Sequence, residues 1–84
     1  MELIEFPCRF PIKIMGLSES PLAECVKSCL AEHVSDAHAV EWRERLSRAG
    51  QYISITITLT ATSQEQLDAL YQALGKCAGV KMIL

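Results

Sequence analysis

The side chains able to do covalent or metal chemistry in this chain are few: four cysteines, Cys8, Cys25, Cys29 and Cys77, and two histidines, His33 and His38. Cys25, Cys29 and His33 recur at every fourth position, so on a helix they would share one face. At about 1.5 Å per residue they would also span roughly 12 Å of helix axis, too far for one tetrahedral ion. No metal site is expected there, and Cys25 and Cys29 read as small core residues. The apolar content suffices for a core, so the four thiols are expected to be free rather than a disulfide frame. His33 falls near a helix C-terminus, where the dipole favours its cation, and His38 falls in a connection; both read as solvated surface groups. Glu24, Glu32, Glu65 and Asp68 are spread over helix surfaces without a carboxylate partner. With no nucleophile beside a base, no catalytic residue is assigned, and neither enzymatic activity nor a cofactor is expected.

The elements that would position any other chemistry are easier to read. From Gln51 to Ala61 β-branched residues alternate with hydroxyl residues, the pattern of a strand with one dry and one wet face. Ile53, Ile55, Ile57 and Leu59 would face a core, and Tyr52, Ser54, Thr56, Thr58 and Thr60 the other side, so the sheet is covered on one side only. Phe10 to Met15 alternates as a first strand ending at Gly16. Ser20-Pro21 reads as an N-cap followed by proline at the first helical position. Leu22, Cys25, Val26, Cys29 and Leu30 then form one apolar stripe of a helix reaching about His33. After a polar connection over residues 34–37, Ala39 to Leu46 alternates again, with enough charge to be an edge strand. Gly50 closes a hairpin. Ser63 caps a second helix, Gln66 completes a capping box, Leu67, Leu70, Tyr71 and Leu74 form its stripe, and Gly75 stops it. Val80 to Leu84 is the last strand, entered through Gly79.

At 84 residues the chain is read as one domain over 1–84, able to hide roughly 60–65% of the surface its unfolded form would expose. The order β-α-β-β-α-β is the split βαβ, ferredoxin-like pattern. The predicted fold class is α+β: a four-stranded antiparallel sheet ordered 4-1-3-2 with two helices on one face. A formal net charge of −2 and a pI near 5.6 argue against a nucleic-acid binder. The first residues lack a basic, apolar leader and no later run approaches a membrane span, so the protein is expected to be soluble, cytoplasmic and without a membrane partner.

Leu3 to Pro7, Phe10 to Gly16, Gly50 to Ile57 and Leu70 to Gly75 together resemble the YbeD-like family of small bacterial proteins. The resemblance runs from about residue 2 to residue 84. It implies a ferredoxin-like fold similar to the amino-acid-binding ACT domains, with no assigned activity.

Several activities hosted by this fold lack their residues. An acylphosphatase-like enzyme would need an arginine in the loop after the first strand, but that loop is Gly16-Leu17-Ser18-Glu19-Ser20-Pro21, and Glu19 would repel a phosphate. A copper chaperone would place a Cys-x-x-Cys pair there. An RNA-recognition sheet would carry aromatics on its central strands, where Lys13, Met15, Ser54, Thr56 and Thr58 stand instead. What remains is the open face: Lys81 and Ile83, then Lys13 and Met15, then the Ser54, Thr56, Thr58 ladder, then Arg43 and Arg45 with Glu41. Its cationic margins oppose the acidic helix side and suit an acidic protein partner or a second copy of the chain. The expected role is a non-enzymatic interaction or regulatory module docking through this face or a strand edge. The alternative is an ACT-like sensor holding a small amino-acid-like ligand between two copies, at the loop bearing Gly16, Ser18, Ser20 and Leu22.

Overall fold

The computed structural model describes residues 5–36 and 39–84; the lead-in residues 1–4, Ala37 and His38 lie outside the described residues. Six elements follow in the order β1 (Cys8–Leu17), α1 (Leu22–His33), β2 (Glu41–Leu46), β3 (Tyr52–Ala61), α2 (Gln64–Gly75) and β4 (Val80–Ile83). The strands form one antiparallel sheet in the order β2-β3-β1-β4, the predicted order read from its other edge.

The alternation in β3 sets the register. Ile55, Ile57, Leu59 and Ala61 are fully buried, and Ile57 and Ile55 sit opposite Ile12 and Ile14 of β1, which are buried as completely. The pairing with β1 runs the whole strand, from Cys8 opposite Ala61 to Leu17 opposite Tyr52. A slip of one residue would put Thr56 and Thr58 into the core and the isoleucines into water, so the pattern permits one register. Leu22, Val26, Cys29 and Leu30 of α1 and Leu67, Leu70 and Leu74 of α2 close the core from one side.

The helix ends differ from the sequence reading. Ser20 does not cap α1: its hydroxyl donates back to the Leu17 carbonyl at 2.6 Å, and Pro21 holds the cap position without a side-chain hydrogen bond. The tight turn from Leu17 to Ser20 rotates that hydroxyl away from the helix. Ser63 does cap α2, accepting from the Gln66 N–H at 3.0 Å. The return half of the capping box goes elsewhere, because Gln66 Oε1 accepts from the Thr62 N–H at 2.7 Å while its Nε2 donates to the His33 carbonyl at 2.9 Å. One side chain thus caps the start of α2 and serves a carbonyl at the end of α1, where backbone acceptors lack helical partners. Gly75 ends α2, but without a left-handed turn; the positive φ angles belong to Gly50 at 76° and Gly79 at 89°.

β4 corrects the predicted face assignment. Ile83 lies opposite Ile14 and faces in, Met82 lies opposite Met15 on the open face, and a register shift leaves Lys81 without a partner in β1. A bulge adds one residue, and the alternation read from the sequence inverts across it.

Gly16 is buried where β1, the turn before β4 and α1 converge. A Cβ there would collide with the Gly79 carbonyl oxygen and come within 2.7 Å of Leu22 Cδ2. The backbone carbonyl cannot swing aside, because it accepts the Leu17 N–H at 2.9 Å. Gly16→Ala is therefore expected to destabilise the fold by about 1–3 kcal/mol, lowering the melting temperature by roughly 4–8 °C per kcal/mol. Gly75→Ala, which meets nothing within 4 Å, is the control; equal melting temperatures for the two variants would contradict this packing.

Candidate docking face

The sheet's uncovered side is built by the outward positions of its strands. β1 contributes Arg9, Pro11, Lys13, Met15 and Leu17, and opposite them β3 sets Thr60, Thr58, Thr56, Ser54 and Tyr52. β2 extends the rows with Glu41 beside Thr58, Arg43 beside Thr56 and Arg45 beside Ser54. On the other margin Met82 stands beside Met15, and Leu84 exchanges two backbone hydrogen bonds with Lys13. The face thus grades along the strands from a closed ion pair, through cations and hydroxyls, to an apolar end.

At the first end the Arg9 guanidinium reaches Glu41 Oε2 at 3.1 Å, Thr60 Oγ1 at 3.0 Å and the carbonyls of Ala39 and Thr58. Both partners are substantially exposed, so the pair contributes at most about 1 kcal/mol, yet it neutralises the face's acid. Arg9 lies outside the first strand expected at Phe10 to Met15, because β1 begins two residues earlier, at Cys8. Its signal was there: continuing the β1 alternation backward past Pro11 puts Arg9 on the same side as Lys13.

In the middle, Lys13, Arg43 and Arg45 make no salt bridge among the described residues. They flank Ser54 and Thr56 around a depression of about 330 Å3 that Glu44 also borders. Adjoining hollows of about 260 Å3 at Glu41, Arg43, Thr56 and Thr58, and of about 460 Å3 running from Met15 and Arg45 to Tyr52, extend it into a shallow track. At the far end Tyr52, Met82 and Leu17 are 46%, 51% and 38% exposed. Of the predicted face residues, Lys13, Met15, Arg43, Arg45, Ser54, Thr56 and Thr58 share this side; Lys81 is exposed at the bulge, outside the paired rows.

Of the four residues of the alternative loop, two are buried and two half-buried. Gly16 and Leu22 are buried. The Ser18 N–H donates to the Gln51 carbonyl at 3.0 Å and its hydroxyl to the Gly50 carbonyl; the Ser20 N–H donates to Leu17. Of the four, Ser20 alone borders the adjacent groove of about 500 Å3, with Leu17, Glu19, Ala49, Gly50, Gln51 and Tyr52. The Ser18 N–H thus ties the loop to the β2–β3 turn, while the Ser20 N–H closes a turn within the loop itself.

The expectation of four free thiols is also corrected. Cys25 of α1 and Cys77, just beyond α2, form a disulfide across 52 residues, with their Cα atoms 5.8 Å apart. Only tertiary packing of the two helices brings these positions together, and no local spacing announces it. Cys8 and Cys29 are free, Cys8 half-buried and Cys29 buried. Burial, and secondarily the charge of Glu32, holds the Cys29 thiol above its ordinary 9.0.

Comparison with known proteins places the chain. A profile described as "Protein of unknown function (DUF493)" matches residues 1–84. The chain belongs to the DUF493 family. Among DUF493 relatives, a UPF0250 protein of Nitrosomonas europaea is 46% identical over 82 residues, covering 98% of this chain and 94% of the relative. A UPF0250 protein of Shewanella sediminis is 42% identical over 83 residues, covering 99% and 92%. In fold, the chain is similar to the solution structure of HP0495 from Helicobacter pylori, with a TM-score of 0.74 at 13% identity over 100% of this chain and 88% of that one. It is also similar to the ACT domain of a Chlorobium tepidum GTP pyrophosphokinase, with a TM-score of 0.66 at 15% identity over 92% and 97%. The resemblance to the YbeD-like family and to ACT-type folds is thereby borne out.

The cysteine states give a direct check. The thiolate is the reactive form, so a buried thiol with a raised pKa reacts slowly. Alkylation of the folded, unreduced protein at neutral pH is expected to tag Cys8 and spare Cys29, with Cys25 and Cys77 reacting only after reduction. Tagging of Cys25 or Cys77 without reductant would contradict the disulfide.

Proposed function

We propose that this DUF493 protein is a non-enzymatic docking module whose open sheet face receives an acidic, amphipathic segment of a protein partner. The observation that carries the reading is the row Lys13, Arg43 and Arg45, unpaired among the described residues, set around hydroxyls beside the exposed Met82 and Tyr52. Three like charges on one face repel one another, and an anionic partner relieves that repulsion while their complementarity steers its approach. The hydroxyls of Ser54 and Thr56 add donors and acceptors, and the apolar end supplies area to bury. The free edge of β2 fits less well as the contact, because Glu41, Arg43, Glu44 and Arg45 give it the charge with which edge strands discourage pairing. No helix among the described residues is long and apolar enough to cross a membrane; a cytoplasmic location belongs to the same reading.

A second reading, an ACT-like sensor of a small amino-acid-like ligand between two copies, draws on the groove of about 500 Å3 beside the β1–α1 loop. Glu19 on its rim disfavours a ligand carboxylate. A ligand at 100 times its dissociation constant would stabilise the protein by about 2.7 kcal/mol. A thermal shift with amino acids, together with a dimeric mass in solution, would favour this reading over docking.

The docking reading is tested by capture from bacterial extract on immobilised protein. A retained protein is expected to fall at least about tenfold in yield with Lys13→Glu/Arg43→Glu and to persist with Glu24→Lys on the helix side. Loss of that protein in high salt is expected as well. Capture unchanged by the double reversal would sink the proposal.

A further inference from the structure

The sulfur atoms of Cys25, Cys29 and Cys77 all lie within 4.8 Å of one another, Cys29 and Cys77 being buried and Cys25 half-buried. From this convergence we propose that the reduced protein binds one thiophilic divalent d10 ion, of the Zn2+ and Cd2+ class, through the three thiolates. The earlier objection to a cysteine site concerned Cys25, Cys29 and His33 strung along one helix. Here Cys77 replaces the third position from a different element, so the donors converge instead of spreading along an axis.

The distances fit such an ion. Metal–sulfur bonds of about 2.3 Å in tetrahedral geometry hold neighbouring sulfurs roughly 3.8 Å apart, and the Cys29 and Cys77 sulfurs stand 3.8 Å apart already. Cys25 and Cys77 must separate from their bond. A dithiol supplies the two electrons and two protons that convert the disulfide to two thiols, and is itself oxidised to a disulfide. The ion then displaces one proton from each of the three thiols, leaving a site with net charge −1. A monovalent ion in the same site would leave −2, a costlier charge among the apolar side chains of the core. The more exposed side of Cys25 leaves the fourth coordination position to a water or an external ligand.

The main competing use of a third thiol is exchange with the disulfide. Attack in line with the sulfur–sulfur bond would need the outer sulfurs roughly 6 Å apart, whereas all three lie within 4.8 Å. The sulfurs surround a common point better than they line up.

The test uses the full chain, reduced with a dithiol, desalted without oxygen and titrated with Cd2+. Thiolate-to-metal absorption is expected to saturate at one ion per chain with release of about three protons. Cys29→Ala is expected to weaken binding at least about a hundredfold, and Cys8→Ala to leave it unchanged. Should Cys29→Ala fail to fold, alkylation of the reduced wild type decides: Cd2+ is expected to protect Cys25 and Cys77, which react without it, and to leave Cys8 reactive. No stoichiometric uptake by the reduced chain, binding retained in Cys29→Ala, loss of binding in Cys8→Ala, or Cys25 and Cys77 alkylated as fast with Cd2+ as without it would each overturn the proposal.

Discussion

The pairing of β3 with β1 is the constraint from which the rest follows. Both strands are ten residues long and paired throughout, and both alternate strictly between buried and solvent-facing side chains. Ile12, Ile14, Ile55, Ile57 and Leu59 are wholly excluded from water, each contributing about 1.5–3 kcal/mol relative to exposure. Because these positions lie on one side, both helices must cover that side. The other side must then carry groups that water tolerates, and hydroxyl and cationic side chains are what the chain provides there.

This one-sided arrangement explains how a chain with a slightly negative net charge can present a cationic surface. Acids such as Glu24, Glu32, Glu65 and Asp68 are exposed on the helices, while Lys13, Arg43 and Arg45 stand across the sheet from them. The Arg9–Glu41 pair sharpens the division by removing the acid on the open face from play. Position in the fold, rather than composition, therefore sets the character of the surface. In the β1–α1 loop Ser18 bonds the β2–β3 turn and the Leu17 N–H donates to the Gly79 carbonyl before β4, so the loop links those two turns.

What could be read in the sequence was whatever depends on local periodicity. The hydroxyl ladder of β3, the apolar stripes of both helices, the Ser63 cap and the hairpin turn at Gly50 are single-segment properties, and all of them stand. What escaped depends on how segments meet. Cys25 and Cys77 are joined because α1 and the end of α2 pack together, which no spacing along the chain encodes. The bulge at Lys81 reverses the alternation of a four-residue strand, too short for period alone to reveal the break. Arg9 was hidden between Pro7, just before β1, and Pro11, which lies within β1 without ending it. Gln66 was half-read, its bond to the His33 carbonyl needing the second helix to be in place. The face itself was legible; its gradient from ion pair to apolar end was not.

The most direct measurement of the central claim is a backbone amide titration by NMR, using a short peptide of alternating glutamate and leucine as the probe, at low and at high salt. Changes confined to Lys13, Met15, Arg43, Arg45, Ser54 and Thr56, fading as salt rises, are the result this account expects. Changes centred on the helices or the Glu19 groove, or none at any salt concentration, would contradict a docking role for the open face.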